Sequence, residues 1–344
     1  MTVSTVEKVA FLGTPEAYPY RPLQVDIKET HMSWVFIAGH RVYKLKKPVR
    51  YPFLDFRTLA AREANCREEV RLNRRLAPDV YIGMVPLTKE HDKRLALAGR
   101  GEVVDWLVEM RRLPEELMLD RVIHDHTIER DHGGRHIEAV ADLLITFYRS
   151  TPPADLSPSS YVQQFAREHA INESVLSDPH FDLDSALLSH ALDRVRRGLE
   201  EDAAMLEDRV RHGRIVEGHG DLRPEHICLC DPPVIIDCLE FSRALRLVDP
   251  FDELTFLALE CERLDAAWIG ERLIKRCADG LGEQPPPHLL EFYWTYRACL
   301  RARLALAHLL EPDPREPWKW VPLANRYLEL AQSRAVTPAL RAVP

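Results

Sequence analysis

The most constraining stretch of this sequence is a polar loop set inside an otherwise helical half: Glu217-Gly-His-Gly-Asp-Leu-Arg-Pro-Glu-His-Ile-Cys-Leu229, followed by Pro232-Pro-Val-Ile-Ile-Asp237-Cys-Leu-Glu240. Two short apolar runs, Ile227–Leu229 and Val234–Ile236, flank a proline turn and predict a small hairpin. That hairpin brings Asp221 and Asp237 to the same end of two adjacent strands. Two carboxylates there, beside Arg223, His219 and His226, suit either metal-assisted phosphoryl transfer or metal-assisted hydrolysis.

The flanking sequence divides into a β-rich first third and a helical remainder. Ile27–Ser33, Trp34–Ala38 and Arg41–Lys47 read as strands, the last two joined by an Ala38-Gly39-His40 turn. Thr58–Leu76 has helical spacing. Strand character returns over Leu87–Leu113, where Arg94–Ala98 and Val103–Met110 flank Gly99-Arg100-Gly101. A single long helix is expected over Asp184–Arg211, because Leu188, Leu192, Val195, Leu199, Ala203, Leu206 and Val210 recur every three or four residues. Ser150–Ser160 reads as a Pro/Ser loop, and Pro285–Pro287 starts a helix running through Leu290–Leu310. The expected architecture is α+β: an antiparallel β-rich lobe over residues 1–113, a connecting strand near Glu109–Leu113, and a larger, mainly helical lobe over residues 114–344.

Composition narrows the chemistry. Only 14 of 344 residues are Gly, against 25 Pro, and neither G-x-x-x-x-G-K-[ST] nor G-x-G-x-x-G occurs. The seven cysteines are scattered without a C-x-x-C, which indicates reduced thiols and no thiolate zinc site. No apolar run approaches the roughly 18 residues of a membrane span, and the first residues lack the pattern of a signal peptide. A cytoplasmic protein with no membrane partner is expected, as a monomer or weak dimer. Between Arg41 and Arg75 there are 11 Lys or Arg against 4 Asp or Glu, but the whole chain carries a net charge of −8, so no nucleic-acid partner is expected.

His219-Gly-Asp221-Leu-Arg223-Pro-Glu-His226 resembles the catalytic loop H-x-D-x-x-x-x-N of the protein-kinase-like superfamily, and Asp237 falls where the Mg²⁺-binding Asp of that superfamily follows. The intervening strand pair and Asp249-Pro-Phe-Asp252-Glu-Leu resemble the aminoglycoside phosphotransferase and choline kinase branch. Glu29-Thr-His-Met-Ser-Trp-Val-Phe, Val42-Tyr-Lys-Leu-Lys-Lys-Pro-Val and Gly218-His-Gly-Asp-Leu-Arg-Pro-Glu-His resemble a bacterial group of that branch, some members of which carry a further P-loop kinase domain. The resemblance runs from about Ile27 to Leu310. It implies a bilobal kinase-like fold, ATP and Mg²⁺ as cofactors with Mn²⁺ as an alternative metal, and transfer of the γ-phosphate to a hydroxyl of a small molecule: an amino sugar, a sugar or an amino alcohol. Asp221 would be the base, Arg223 would contact the γ-phosphate, and His219 would position the loop backbone.

The remaining site residues follow from the same resemblance set against local geometry. A period of two puts Val42, Lys44 and Lys46 on one strand face. Lys44 aligns with the phosphate-binding lysine, with Val42 behind it against adenine; the alternative is a solvated, cationic edge strand. On the following helix Cys66, Leu72 and Leu76 share a face with Glu69, whereas Glu68 points roughly 100° away. A carboxylate on an apolar face requires a partner, so Lys44–Glu69 is the expected pair and Glu68 the fallback. Backbone around Glu109–Arg112, including Met110 and Arg112, would meet adenine. The segment expected to cover the phosphates, Glu29–Trp34, has no glycine, which leaves the Ser33 hydroxyl or a stiffer turn to serve. His226 stands where the family has a metal-binding Asn, and imidazole suits Mg²⁺ poorly. One metal only, a water-mediated contact, or a preference for Mn²⁺ would each accommodate it, and one metal held on Asp237 is the expectation. Glu240 would either lie near the second phosphate site or cap its turn, and Asp249 and Asp252 would anchor the loop through backbone amides. The acceptor pocket is expected in the helices after Pro114, including Phe292–Arg303. Two rivals stand beside this reading: a nucleotide-binding pseudokinase with a regulatory role, and a metal-dependent hydrolase using His219, Asp221, His226 and Asp237.

Overall fold

A computed structural model describes residues 3–51, 54–128, 134–311 and 314–333. The chain separates into two compact units, one made of residues 1–121 with 225–246, the other of residues 122–224 with 247–344.

The first unit opens with α1 (Thr5–Leu12), whose start is fixed by a reciprocal cap: the Ser4 hydroxyl accepts from the Glu7 amide while the Glu7 carboxylate accepts from the Ser4 amide. There follow β1 (Val25–Glu29), β2 (Ser33–Ala38), β3 (Arg41–Lys46), a short ladder of β4 (Arg50–Tyr51) and β5 (Leu54–Asp55), helix α2 (Leu59–Asn73), then β6 (Tyr81–Lys89), β7 (Leu95–Leu97) and β8 (Glu102–Arg111). Among the described residues these form a six-stranded antiparallel sheet in the order β1-β2-β3-β8-β6-β7. The strand expected over Ile27–Ser33 breaks at Glu29, because Thr30 closes a turn in which its Oγ1 accepts from the Ser33 amide at 3.0 Å. More consequentially, β3 lies between β2 and β8 and is not an edge, and the Lys44 and Lys46 side chains are only 15% and 0% exposed, so they are no solvated fringe and need partners inside the fold. Alternation along the strands builds two apolar layers. One gathers Leu12, Phe36, Tyr43, Leu45 and Leu107, and the other holds α2 against the sheet through Cys66, Val70 and Val108.

The second unit is helical: α3 (Leu119–His124) leads into it, followed by α4 (Gly134–Ser150), α5 (Pro158–Leu176), α6 (Ser185–Glu201), α7 (Ala203–Arg211) and β9 (Val216–Glu217). The chain then contributes β10 (Ile227–Cys228), β11 (Val234–Ile235) and α8 (Arg243–Arg246) to the first unit before returning as β12 (Leu247–Val248), α9 (Pro250–Arg263), α10 (Ala267–Leu281), α11 (Pro287–Ala307) and α12 (Trp320–Ser333). The helix expected over Asp184–Arg211 is two helices. Asp202, at φ −111° and ψ 12°, ends α6 and begins α7, in keeping with the preference of Asp for helix termini. The apolar stripe continues across the break, which is why the periodicity conceals it. The loop expected over Ser150–Ser160 is shorter, since Ser157 caps α5 and Pro158 begins it. The core of this unit includes an aromatic cluster in which Phe165 packs edge-on against Tyr161, Phe292 and Tyr296.

A single division after residue 113 therefore does not describe the compact units. Residues 225–246 join the β-rich unit because Cys228 and Val234 share an apolar cluster with Cys66, Val70, Val80 and Val108, and because the Leu229 amide donates to the Leu117 carbonyl at 2.8 Å. No helix among the described residues is long and apolar enough to cross a membrane, and all seven cysteines are free.

Candidate active site

In the β-rich unit, α2 covers the sheet face on which Lys44 and Lys46 lie. Lys44 Nζ is 3.0 Å from Glu69 Oε1 and 2.8 Å from Asp237 Oδ1. Lys46 Nζ is 2.5 Å from both Glu69 Oε2 and Glu240 Oε1. The groups thus alternate in sign from Asp237 through Lys44, Glu69 and Lys46 to Glu240, three carboxylates against two ammoniums, which leaves one net negative charge. Glu68 faces away, as its position on the helix predicts, and pairs with Arg71 at 2.7 Å and Arg246 at 3.0 Å.

The electrostatics follow from who faces whom. Burial alone would raise the Glu69 carboxyl, but Lys44 and Lys46 outweigh it and hold it below the ordinary range. Burial alone would lower the Lys44 ammonium, but Asp237, Glu69 and Glu240 push it well above its usual value. The Asp237 side chain is 44% exposed. Its partial burial is overcome by Lys44, with His226 second, so its carboxyl lies well below the usual carboxylate range. It is an ionised, partly open carboxylate: Oδ1 meets Lys44 and Oδ2 lies 3.7 Å from His226 Nε2. An oxygen donor in a cluster with surplus negative charge fits a hard divalent cation, whereas the His226 imidazole fits Mg²⁺ less well.

Asp237 has φ +62°, a left-handed conformation that residues with a side chain rarely adopt. Surrounding groups over-determine it. Its amide donates to the Tyr81 hydroxyl at 3.2 Å, the Cys238 amide donates to Asn73 Oδ1 at 2.8 Å, and Arg246 Nη1 donates to the Leu239 and Glu240 carbonyls at 2.9 and 3.2 Å. None of Tyr81, Asn73 and Arg246 carries a sequence motif, so this support was not legible beforehand.

The loop carrying Asp221 belongs to the helical unit. His219 is fully buried, and its Nδ1 accepts from the Asp221 amide at 3.3 Å. Gly220 takes φ +87°, a conformation that only glycine adopts without strain, and its amide donates to Glu253 Oε1. The other Glu253 oxygen accepts from the Tyr148 hydroxyl at 2.9 Å. A Cβ on Gly218 would stand 2.6 Å from Glu253 Oε2, so glycine is required there as well. Burial raises the Glu253 carboxyl, against the pull of the Gly220 and His219 amides and Tyr148. At the end of the loop Arg223 Nη2 lies 3.0 Å from Asp221 Oδ2.

Three solved structures share this arrangement of elements. The GDP complex of an aminoglycoside 2′-phosphotransferase is 13% identical, covers 96% of this chain and 99% of its own, and superposes with a TM-score of 0.52. A choline/ethanolamine kinase family protein from Mesorhizobium loti is 15% identical over 96% of this chain and 95% of its own, with a TM-score of 0.53. An aminoglycoside phosphotransferase mutant in ternary complex with AMP-PNP and hygromycin B is 13% identical over 97% of this chain and 100% of its own, with a TM-score of 0.52. The fold is that of the aminoglycoside phosphotransferases and choline kinase-like proteins. In sequence, uncharacterized proteins of Mycobacterium tuberculosis and Mycobacterium bovis are each 31% identical over 310 residues, 88% of this chain. The chain spans 59% of the length of those relatives. No family model matches it.

Within this fold the expected Lys44–Glu69 pair is formed; Lys46, left without an assigned role, and Glu240, expected near the second phosphate site or as a cap of its turn, complete the charge series. The carboxylate that holds the Asp221 loop is Glu253 and not Asp249 or Asp252. Asp249 instead caps α9, accepting from the Phe251 amide at 2.8 Å, and pairs with Arg209 at 2.5 Å; Asp252 forms two bonds to Arg297 at 2.7 and 2.6 Å. The run Asp249-Pro-Phe-Asp252-Glu253 offers three carboxylates on one helical turn, and only packing decides which of them meets the loop. Of the other expected nucleotide contacts, Val42 pairs in register with Met110. The Arg112 amide donates to the His40 carbonyl at 3.0 Å and the Arg111 amide to the Val80 carbonyl at 2.8 Å, so both are engaged within the unit. Ser33 is 1% exposed, and its hydroxyl meets no hydrogen-bond partner among the described residues.

Proposed function

We propose that this chain is an ATP-dependent phosphotransferase that moves the γ-phosphate to a hydroxyl of a small molecule, in the class of amino sugars, sugars and amino alcohols, acting in the cytoplasm as a monomer or weak dimer. The observation that carries the proposal is the Glu69–Lys44–Asp237 series, a buried carboxylate holding an ammonium against a partly open, ionised carboxylate, in a fold whose relatives include complexes with GDP or with AMP-PNP and an aminoglycoside. Lys44 would neutralise nucleotide phosphates, and Glu69 would keep it charged and oriented. Asp237 would hold Mg²⁺, or Mn²⁺, with His226 beside it; the bound cation supplies charge neutralisation of the phosphates. Asp221 would orient the acceptor hydroxyl and take its proton, while Arg223 would turn from Asp221 toward the γ-phosphate. His219, Gly220 and Glu253 would keep Asp221 in place.

The hydrolase reading loses ground on Lys44, whose ammonium sits 2.8 Å from Asp237 where a zinc cage has no use for a cation. ADP release measured across amino sugars, sugars and amino alcohols tests the proposal. Stimulation by an acceptor, falling by about 10²–10⁴-fold in Asp221→Asn, is expected. ADP release that no acceptor stimulates would leave the pseudokinase. Zinc that copurifies at about one per chain, with no stabilisation by ATP and Mg²⁺, would restore the hydrolase.

A further inference from the structure

Lys46 and Glu240 are the members of the charge series that the proposed chemistry does not use, and Lys46, like Glu69, has a side chain 0% exposed. Fully burying an ammonium is costly unless its partners are close and several. It has two, each at 2.5 Å: Glu69 on α2, and Glu240 in the turn three residues after Asp237. A single cation on β3 therefore ties the helix that orients Lys44 to the turn that carries Asp237. Lys44 makes the same tie from the other end, but nucleotide phosphates and a metal on Asp237 would both compete for it. Once they bind, Lys46 remains the charged link between α2 and the 237–240 turn.

Resting on the phosphotransferase reading, we propose that Lys46 and Glu240 are a positioning pair: they hold the left-handed Asp237 in its metal-binding conformation when Lys44 turns to the phosphates. The backbone bonds to Tyr81, Asn73 and Arg246 fix the turn's path, and the pair fixes its distance from the sheet. The alternative is that Glu240 is itself a metal ligand, or acts only through its charge. The two are separable by sign. If charge alone matters, Glu240→Gln weakens cation binding and Lys46→Met strengthens it. If the pair positions Asp237, both weaken it.

The decisive variant is the double replacement Lys46→Met/Glu240→Gln, which removes one charge of each sign, leaves the net charge of the cluster unchanged, and leaves Lys44 to pair with Glu69. Mn²⁺ binding to the full chain, titrated by electron paramagnetic resonance with and without ADP, is the readout, alongside the melting temperature. A roughly tenfold weaker Mn²⁺ affinity in the double variant is expected, the size found when a supporting partner of a metal ligand is lost, with the melting temperature within a few degrees of wild type. Unchanged Mn²⁺ affinity in the double variant, or tighter binding in Lys46→Met, overturns the positioning role while leaving the phosphotransferase reading intact. Wild type that binds no Mn²⁺ with or without ADP overturns both.

Discussion

Glu69 on α2 and Glu253 on α9 are both buried glutamates of the candidate site, yet their carboxyls shift in opposite directions. Glu69 meets two ammoniums and is held below the ordinary carboxylate range; Glu253 meets backbone amides and a tyrosine hydroxyl, and burial raises it. The Arg297 guanidinium, which also favours the charged form of Glu253, is committed to Asp252 through two bonds. Burial is common to both residues, so in this pair the partners decide in which direction the carboxyl shifts. Where the chemistry needs a fixed cation, a charged glutamate holds it. Where it needs a rigid backbone, an acceptor suffices.

Replacing each glutamate by its neutral analogue is the strongest way to break this comparison. Glu69→Gln strands two buried ammoniums with fewer counter-charges, and should cost about 3–5 kcal/mol in urea unfolding. Glu253→Gln keeps an acceptor for the Gly220 amide and should cost under about 1 kcal/mol. Equal losses would show that the two sites are electrostatically alike. Glu253→Ala removes the acceptor altogether; about 1–3 kcal/mol of stability should go, with a drop in acceptor-stimulated ADP release that Glu253→Gln does not share.

The pH dependence of stability sharpens the contrast because the signs differ. A lowered carboxyl contributes stability that is present above its unfolded value of about 4.3 and lost as pH falls through its folded value. The advantage of wild type over Glu69→Gln should therefore be full at neutral pH and shrink in acid. A raised carboxyl contributes stability that is present below about 4.3 and lost as pH rises through its folded value. Glu253→Gln should therefore gain on wild type as pH rises from 4 to 8, and parallel stability curves for the two variants would contradict the assignment. The smallest effect is expected for Tyr81→Phe, which removes the acceptor of the Asp237 amide and should cost about 1 kcal/mol, measured by the same unfolding.

The sites differed in legibility for the same reason. Lys44 and Glu69 could be matched beforehand because each stands on a regular element, and the periods of strand and helix assign their faces. Lys46 lies on that same face, but the sequence suggested a solvated edge, since strand order is a property of pairing and not of the strand itself. Glu253 was hidden among three carboxylates within five residues, where a helical turn offers several directions and only the neighbouring helices choose among them. Ser33 shows the limit from the other side: a hydroxyl in the expected segment is turned inward by the Thr30 turn.

What the sequence determined by itself is local: the short hairpin after the Asp221 loop, the alternation that aligns Lys44 with Lys46, and the helical face that carries Glu69. These follow from backbone sterics and from periods of two and 3.6, which need no knowledge of distant residues. Tertiary structure alone decided that β3 is an interior strand, that residues 225–246 join the β-rich unit, and which carboxylate meets which cation. Those outcomes depend on which buried surfaces and charges compensate one another across a hundred or more residues, as Lys46 and Glu240 do, and no local pattern encodes that choice.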